Sequence, residues 1–380
     1  MRRALEQIEI PGEHEVRDRS WHVVAAAFSE QRPARRRSRR KLVPAVAIIA
    51  MGAVLAAALS SSGKALLHSI RQTVGVRGAQ PALFGVVTPG TLLVHSDSGV
   101  WAVQSDGSKR RLGPYRSASW SPHGLYVAAT TKNELVALTP TGTVRWSLAR
   151  PSVRSPRWTG TTTDSRIAYT TGHQLRVVGG DGRGDAVFGS APDLGTAPLA
   201  WRPGTARHVL GYALPAQKIV RVVDIDARGE EVWSKLVTGR VSQLEWSTDG
   251  RLLLVVTKSS AAYTVAVFRP PSRRPVSLLH RPPGTLSASF RPGTHEVAIV
   301  SRPGEVARVE LAGKTVFSAA GDLRGLSWSP DGRWLLVGWP DADQWAFIPV
   351  RGGRAHAVAN ISAQFRSQTF PRVEGWCCAP

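Results

Sequence analysis

From about residue 90 onward the chain is written in short apolar runs broken by turn residues. WLLVGW at 334–339 follows Ser-Pro-Asp-Gly at 329–332, and LLLVVT at 252–257 follows Ser-Thr-Asp-Gly at 247–250. Runs of this length, bounded by Gly, Pro and Asp, predict strands rather than helices. In the turns, Pro presets a negative φ and Gly takes a positive one at no steric cost. Aligning on the aromatic residue before each turn gives Trp120, Trp158, Trp201, Trp246, Phe290 and Trp328, spaced by 38, 43, 45, 44 and 38 residues. Downstream of each landmark the pattern continues, as in ELVALTPTGTVRWSLA at 134–149, which reads as two more strands around a Thr-Gly turn.

A repeat of about 40 residues made of short strands predicts four-stranded blades, not a helical solenoid. One blade cannot cover both faces of its own sheet, so the copies must stack around an axis. Six copies leave both ends unexplained. Residues 90–112 carry later strands with no aromatic opening strand, and the chain ends in FPRVEGWCCAP, with Trp376 standing 48 residues after Trp328. Residues 370–378 are therefore expected to supply the missing inner strand of the first blade. The expected fold is all-β, a seven-bladed β-propeller over residues 86–380 that closes without an unprotected edge.

The Trp-Ser-Pro-Asp-Gly turns resemble those of TolB-like and WD-repeat-like propellers. ALTPTGTVRW at 137–146 and DIDARGEEVW at 224–233 are similar to quinoprotein-type repeats, in which a Gly-x-x-x-Trp ending docks neighbouring blades. Both resemblances imply a propeller, and neither implies an activity.

Ahead of the repeats the pattern changes. Residues 42–59 hold eighteen positions without a charge, extendable through 63, and about 20 residues at 1.5 Å each span a hydrocarbon core. A transmembrane helix is expected at 42–63, followed by a linker at 64–85. RPARRRSRRK at 32–41 places seven positive charges just before it, which puts residues 1–41 in the cytoplasm and the propeller outside. SRRKLV at 38–43 also partly resembles a twin-arginine export signal, but the long preceding region and the lack of a clean cleavage site favour an uncleaved anchor. Within 13–30, Trp21, Val24, Ala25 and Phe28 fall at helical spacing, an amphipathic stripe that calls for a cytoplasmic partner or the inner leaflet.

Charge sharpens this picture. The chain carries 49 basic and 27 acidic residues, and 41 of the basic residues are Arg. A net charge of +22 favours anionic partners such as nucleic acid, phospholipid headgroups or envelope polymers. Nucleic acid is not expected for a basic domain outside the membrane. Cys377 and Cys378 are adjacent and cannot staple distant segments. Two buried thiols in the closing strand are expected, with a vicinal ring or pairing between chains as the alternatives.

Candidate chemistry is sparse. The histidines lack metal-binding spacing, no nucleophile elbow occurs, and no cofactor or metal is expected. GGDGRGD at 179–185 reads as a hairpin turn, and Asp249 and Asp331 as turn formers. One pattern stands out: Arg116, Arg154, Arg324 and Arg372 each lie four residues before the aromatic landmark, and Arg240 lies six before Trp246. This position enters the inner strand, so the five guanidinium groups are expected around the funnel rim, where they suit a carboxylate or phosphate. The expected function is a non-enzymatic, membrane-anchored binding, sensor or scaffold module for a protein or anionic envelope ligand. Its layout resembles that of membrane-bound anti-sigma regulators, although residues 1–41 are short for a sigma-binding domain. An exported propeller enzyme, a quinoprotein-type dehydrogenase or a hydrolase, is the competing class.

Overall fold

A computed structural model describes residues 79–378, apart from positions 84, 205 and 285. The expected membrane span at 42–63 and the amphipathic stripe at 13–30 lie outside these residues. Among the described residues no helix is long and apolar enough to cross a membrane.

Seven four-stranded antiparallel sheets make up the described chain. Blade 2 shows the plan: Ser117–Trp120, Val127–Thr130, Glu134–Leu138 and Val144–Ala149 pair in sequence order. The first strands of the blades neighbour one another around the ring. They are Ser117–Trp120, Val153–Gly160, Leu199–Trp201, Arg240–Trp246, Leu286–Phe290, Arg324–Trp328 and Arg372–Cys377, and the last returns to the first. Arg372–Cys377 pairs antiparallel with Thr91–Ser96, setting Leu92 opposite Trp376. The C-terminal strand thus becomes the innermost strand of blade 1 and closes a seven-bladed β-propeller.

The repeated turns form through their own side chains. Ser247 Oγ donates to Asp249 Oδ1 at 2.6 Å and accepts the Leu252 N–H at 2.9 Å, while Asp249 Oδ1 also accepts the Arg251 N–H at 3.1 Å. Ser329, Asp331, Arg333 and Trp334 repeat the arrangement at 2.6, 3.0 and 2.9 Å. Neighbouring turns then lock together. Arg202 Nε donates to Gly250 O at 2.6 Å, and Arg291 Nε donates to Gly332 O at 2.9 Å. Gly250 has φ +67°, and a Cβ there would come within 2.4 Å of Pro203 O, so both conformation and space demand glycine. Arg-Pro-Gly turns in blades 4 and 6 therefore clamp Asp-Gly turns in blades 5 and 7.

Each interface between blades has its own apolar cluster, because every sheet buries both faces. Trp246 and Phe268 meet Trp233 between blades 4 and 5, and Trp328 and Trp339 meet Val309 and Leu323 between blades 6 and 7. The two Gly-x-x-x-Trp endings reach into the next blade: Trp146 Nε1 donates to Gly180 O at 2.8 Å and Trp233 Nε1 to Ser272 O at 3.1 Å. Blades 5 and 6 add a polar clamp at the channel wall. Gln243 Oε1 accepts the Ala288 N–H at 3.2 Å, and Glu245 Oε1 accepts Ser289 Oγ–H and the Phe290 N–H, each at 2.9 Å. Burial pushes the Glu245 carboxyl up to about 7, outweighing these hydrogen bonds.

The cysteines differ from the expectation of buried thiols. Cys377 and Cys378 form a vicinal disulfide, and both residues are partly exposed at the end of the closing strand. Their sulfurs lie against the Ser121–Pro122 turn of blade 2, 3.8 Å from Ser121 O and 3.5 Å from Pro122 O. A strand end on the surface of the ring offers no apolar pocket to hold two thiols apart. The 179–185 segment is a hairpin turn, as its sequence predicts. Its Asp185 is consumed internally, accepting Tyr169 Oη–H at 2.5 Å, Arg150 Nε at 2.9 Å and Arg176 Nε at 3.1 Å. Burial and Asp185 together push the Tyr169 hydroxyl up to about 12.

Candidate functional site

Blades 2 to 7 are meanders entered through the innermost strand, and the closing strand of blade 1 also pairs antiparallel with the strand outside it, so the starts of all seven inner strands share one rim of the ring. Arg240, Arg324 and Arg372 are the first residues of their inner strands, Arg154 is the second, and Arg116 directly precedes Ser117. All five are exposed.

They are not equivalent. Arg324 Nε donates to Asp322 Oδ2 at 2.7 Å, and Arg372 Nε donates to Glu374 Oε1 at 3.0 Å. The two acids are nearly covered, whereas the arginine side chains remain 65% and 63% exposed, so each guanidinium is anchored through Nε, and that of Arg372 through Nη2 as well, with much of its surface open to solvent. Arg240 Nη2 donates to Thr196 Oγ1 at 3.0 Å, tying blade 5 to the connection between blades 3 and 4.

Arg324 and Arg372 share a cavity. A cleft of about 430 Å³ opens between blades 7 and 1, lined by these two with His95, Trp345, Thr369 and Phe370. Its wall is fixed by Asp97, whose Oδ2 accepts the N–H groups of Gln368 and Thr369 at 2.8 and 2.7 Å, while Oδ1 accepts Thr369 Oγ–H at 2.7 Å. The Thr369 hydrogen bonds, aided by those from Ser367 and Gln368, hold the Asp97 carboxyl down at about 2. Gly338 forms the floor, since a Cβ there would meet the Phe370 ring at 2.6 Å. His95 is pushed below its ordinary value by burial, reinforced by Arg372 and opposed by Glu374 and Asp97. The cleft thus pairs two cations with an aromatic wall and a neutral imidazole. Arg116, Arg154 and Arg240 lie on the rim outside it.

Sequence reasoning missed Arg157. It sits in the inner strand of blade 3, directly before the landmark Trp158. Desolvation lowers its affinity for a proton, with Arg372 acting in the same direction and Glu374 against it, although its side chain is solvent-exposed. The innermost strands line the central channel, and Arg157 lies near enough to the inner strand of blade 1 to feel the charges of Arg372 and Glu374. Arg157 therefore extends the positive lining from the rim inward.

This arrangement suits binding of a carboxylate or phosphate by charge-assisted contacts. Among the described residues no group of three His, Cys, Asp or Glu side chains is placed to hold a metal ion.

No protein-family model and no curated protein sequence matches the chain. Solved structures do. The C-terminal WD40 domain of Sif2 is 15% identical, with a TM-score of 0.53 over 73% of this chain and 84% of that one. Hsv2 of Kluyveromyces lactis is 11% identical, with a TM-score of 0.51 over 72% of this chain and 94% of that one. Hydrazine synthase of Kuenenia stuttgartiensis is 15% identical, with a TM-score of 0.50 over 61% and 75%. At such identities the likeness shows the fold: the chain is a seven-bladed β-propeller with WD40 domains among its structural neighbours.

Proposed function

We propose that this protein is a membrane-anchored, non-enzymatic scaffold whose propeller, outside the membrane, binds an anionic group on a protein partner or an envelope polymer. The observation that carries the reading is the placement of Arg324 and Arg372 on one cleft, each oriented from behind by a covered acid. Orientation by Asp322 and Glu374 reduces the entropy lost when the guanidinium groups engage a ligand. Arg116, Arg154 and Arg240 continue the positive rim and steer an anion toward it, and Arg157 adds charge within the channel. The apolar segment at 42–63 and the seven positive charges at 32–41 support the anchor and its direction.

The test is a binding comparison of the full-length protein in lipid nanodiscs with a variant carrying Arg116→Gln, Arg154→Gln, Arg240→Gln, Arg324→Gln and Arg372→Gln. Envelope extracts and long-chain polyphosphate are presented at two salt concentrations. Binding to either that weakens with salt and is lost in the variant is expected. Equal binding by parent and variant would overturn the rim as the site.

A further inference from the structure

We propose a second, independent site: the cleft between blades 2 and 3, at the ends of the inner strands and so opposite the arginine rim, binds an uncharged sugar ring. Its volume is about 480 Å³, within the usual range for small-molecule sites. Tyr126 stacks on Trp158, with ring centroids 5.9 Å apart and planes within 14°, and Trp146 forms a further wall.

These walls are held in place by the glycine-rich hairpin. Trp146 Nε1 donates to Gly180 O at 2.8 Å. A Cβ at position 180 would meet Trp158 Cζ2 at 3.2 Å and Ser165 Oγ at 2.0 Å, and one at position 182 would meet Trp146 Cδ2 at 2.9 Å. Two glycines thus let the hairpin lie against two tryptophans, and the Asp185 network with Arg150, Arg176 and Tyr169 secures the hairpin from behind. A rigid aromatic cleft is pre-organised for a ligand, and little entropy is lost in filling it.

The polar lining identifies the ligand class. Thr161, Thr162, Thr163 and Ser165 bring hydroxyls, Arg145 and Arg166 bring donors, and Asp181 brings an acceptor that uses Oδ1 for the Arg183 N–H at 3.0 Å. Charge in the cleft is mixed: Arg166 is bound to Asp164 at 2.6 Å, and Asp181 lines the same cleft as Arg145. A phosphate or carboxylate meets a mixed-charge lining here, whereas the rim adds Arg116, Arg154 and Arg240 to the acid-paired Arg324 and Arg372. A pyranose ring matches both features. Its C–H face lies on the electron-rich face of an aromatic ring, and its hydroxyls both donate and accept around the edge.

The test uses the full-length protein with three neutral trisaccharides (maltotriose, cellotriose and chitotriose), trigalacturonate and uridine monophosphate as probes. Calorimetry and tryptophan emission report binding, since Trp146 and Trp158 line the cleft. At least one neutral trisaccharide is expected to bind at millimolar concentration or below and to change the emission. Tyr126→Ala and Asp181→Ala should each weaken it by about tenfold. Asp181 is on an exposed turn, so its variant keeps the fold, and the melting transition checks both. Arg324→Gln with Arg372→Gln should leave sugar binding unchanged, which separates this site from the rim. The proposal is overturned if no neutral trisaccharide binds, if folded Tyr126→Ala and Asp181→Ala variants bind as the parent does, or if trigalacturonate or the nucleotide binds more tightly than every neutral sugar.

Discussion

Two of the seven interfaces between blades treat the same packing problem in opposite ways. At the seam between blades 7 and 1, twelve buried apolar side chains meet, five of them aromatic: Trp101, Trp345, Phe347, Phe365 and Trp376. Segments outside the blades reinforce it. Gln80 pairs with Val358, the Leu83 N–H donates to Gln364 Oε1 at 3.0 Å, and the short helix Ile361–Gln364 delivers Phe365 against Trp101 and Trp345. Between blades 2 and 3 only six buried apolar side chains meet, and the ends of the sheets part into a cleft. Blades 2 and 3 are joined directly through the chain. In blade 1 only hydrogen bonds and packing hold the innermost strand to the rest of its sheet. The packing at this seam therefore holds a strand that the chain does not join to its own sheet, whereas the interface between blades 2 and 3 opens into a cleft.

The contrast can be broken most severely at the seam. Removing residues 370–380 deletes the inner strand of blade 1 and exposes Thr91–Ser96 as an edge. Loss of a soluble, cooperatively melting monomer is expected, and sedimentation with thermal unfolding checks it. A finer comparison sets Phe365→Ala against Tyr126→Ala. Phe365 is fully buried, so its loss should cost ~3–5 kcal/mol through the cavity it leaves. Tyr126 is partly exposed and should cost ~1 kcal/mol through its lost stacking. Denaturant unfolding of both variants measures the difference, and equal costs would remove the distinction between the interfaces.

A third interface is sensitive to pH. Glu245 titrates at about 7 in the folded protein against an ordinary value of 4.5. The folded state therefore holds a proton that the unfolded chain has released, and stability falls as pH rises from about 4.5 through 7. Roughly 1–3 kcal/mol of stability present below that window should be lost above it. Glu245→Gln should flatten this part of the pH profile. The smallest effect belongs to the vicinal disulfide. Adjacent cysteines close no loop, so Cys377→Ser with Cys378→Ser should shift stability by less than ~1 kcal/mol, which calorimetry can confirm.

Much of the ring is legible in the sequence because its determinants are local. Ser-x-Asp-Gly turns bond within five residues, and the aromatic landmarks recur at blade spacing. Closure by residues 370–378 follows from counting strands. What the sequence hides is set between blades. The stack of Tyr126 on Trp158 joins residues 32 positions apart in different blades. Arg157 is perturbed by desolvation first, and then by Glu374 and Arg372 of another blade. Arg372 and Glu374 stand two residues apart in one strand, a spacing that puts both side chains on one face, and Asp322 stands two residues before Arg324. Ion pairing at the rim was readable from that period. The cleft shared by Arg324 and Arg372 was not, because it depends on the distance between two sheets.

Native-state hydrogen exchange on the whole protein tests the central contrast most directly. The account predicts that amides of Arg372–Cys377 and Thr91–Ser96 exchange only through global unfolding, while Tyr126 and the Thr161–Asp164 turn open at lower free energy. Exchange at the seam that precedes exchange at the cleft would contradict it.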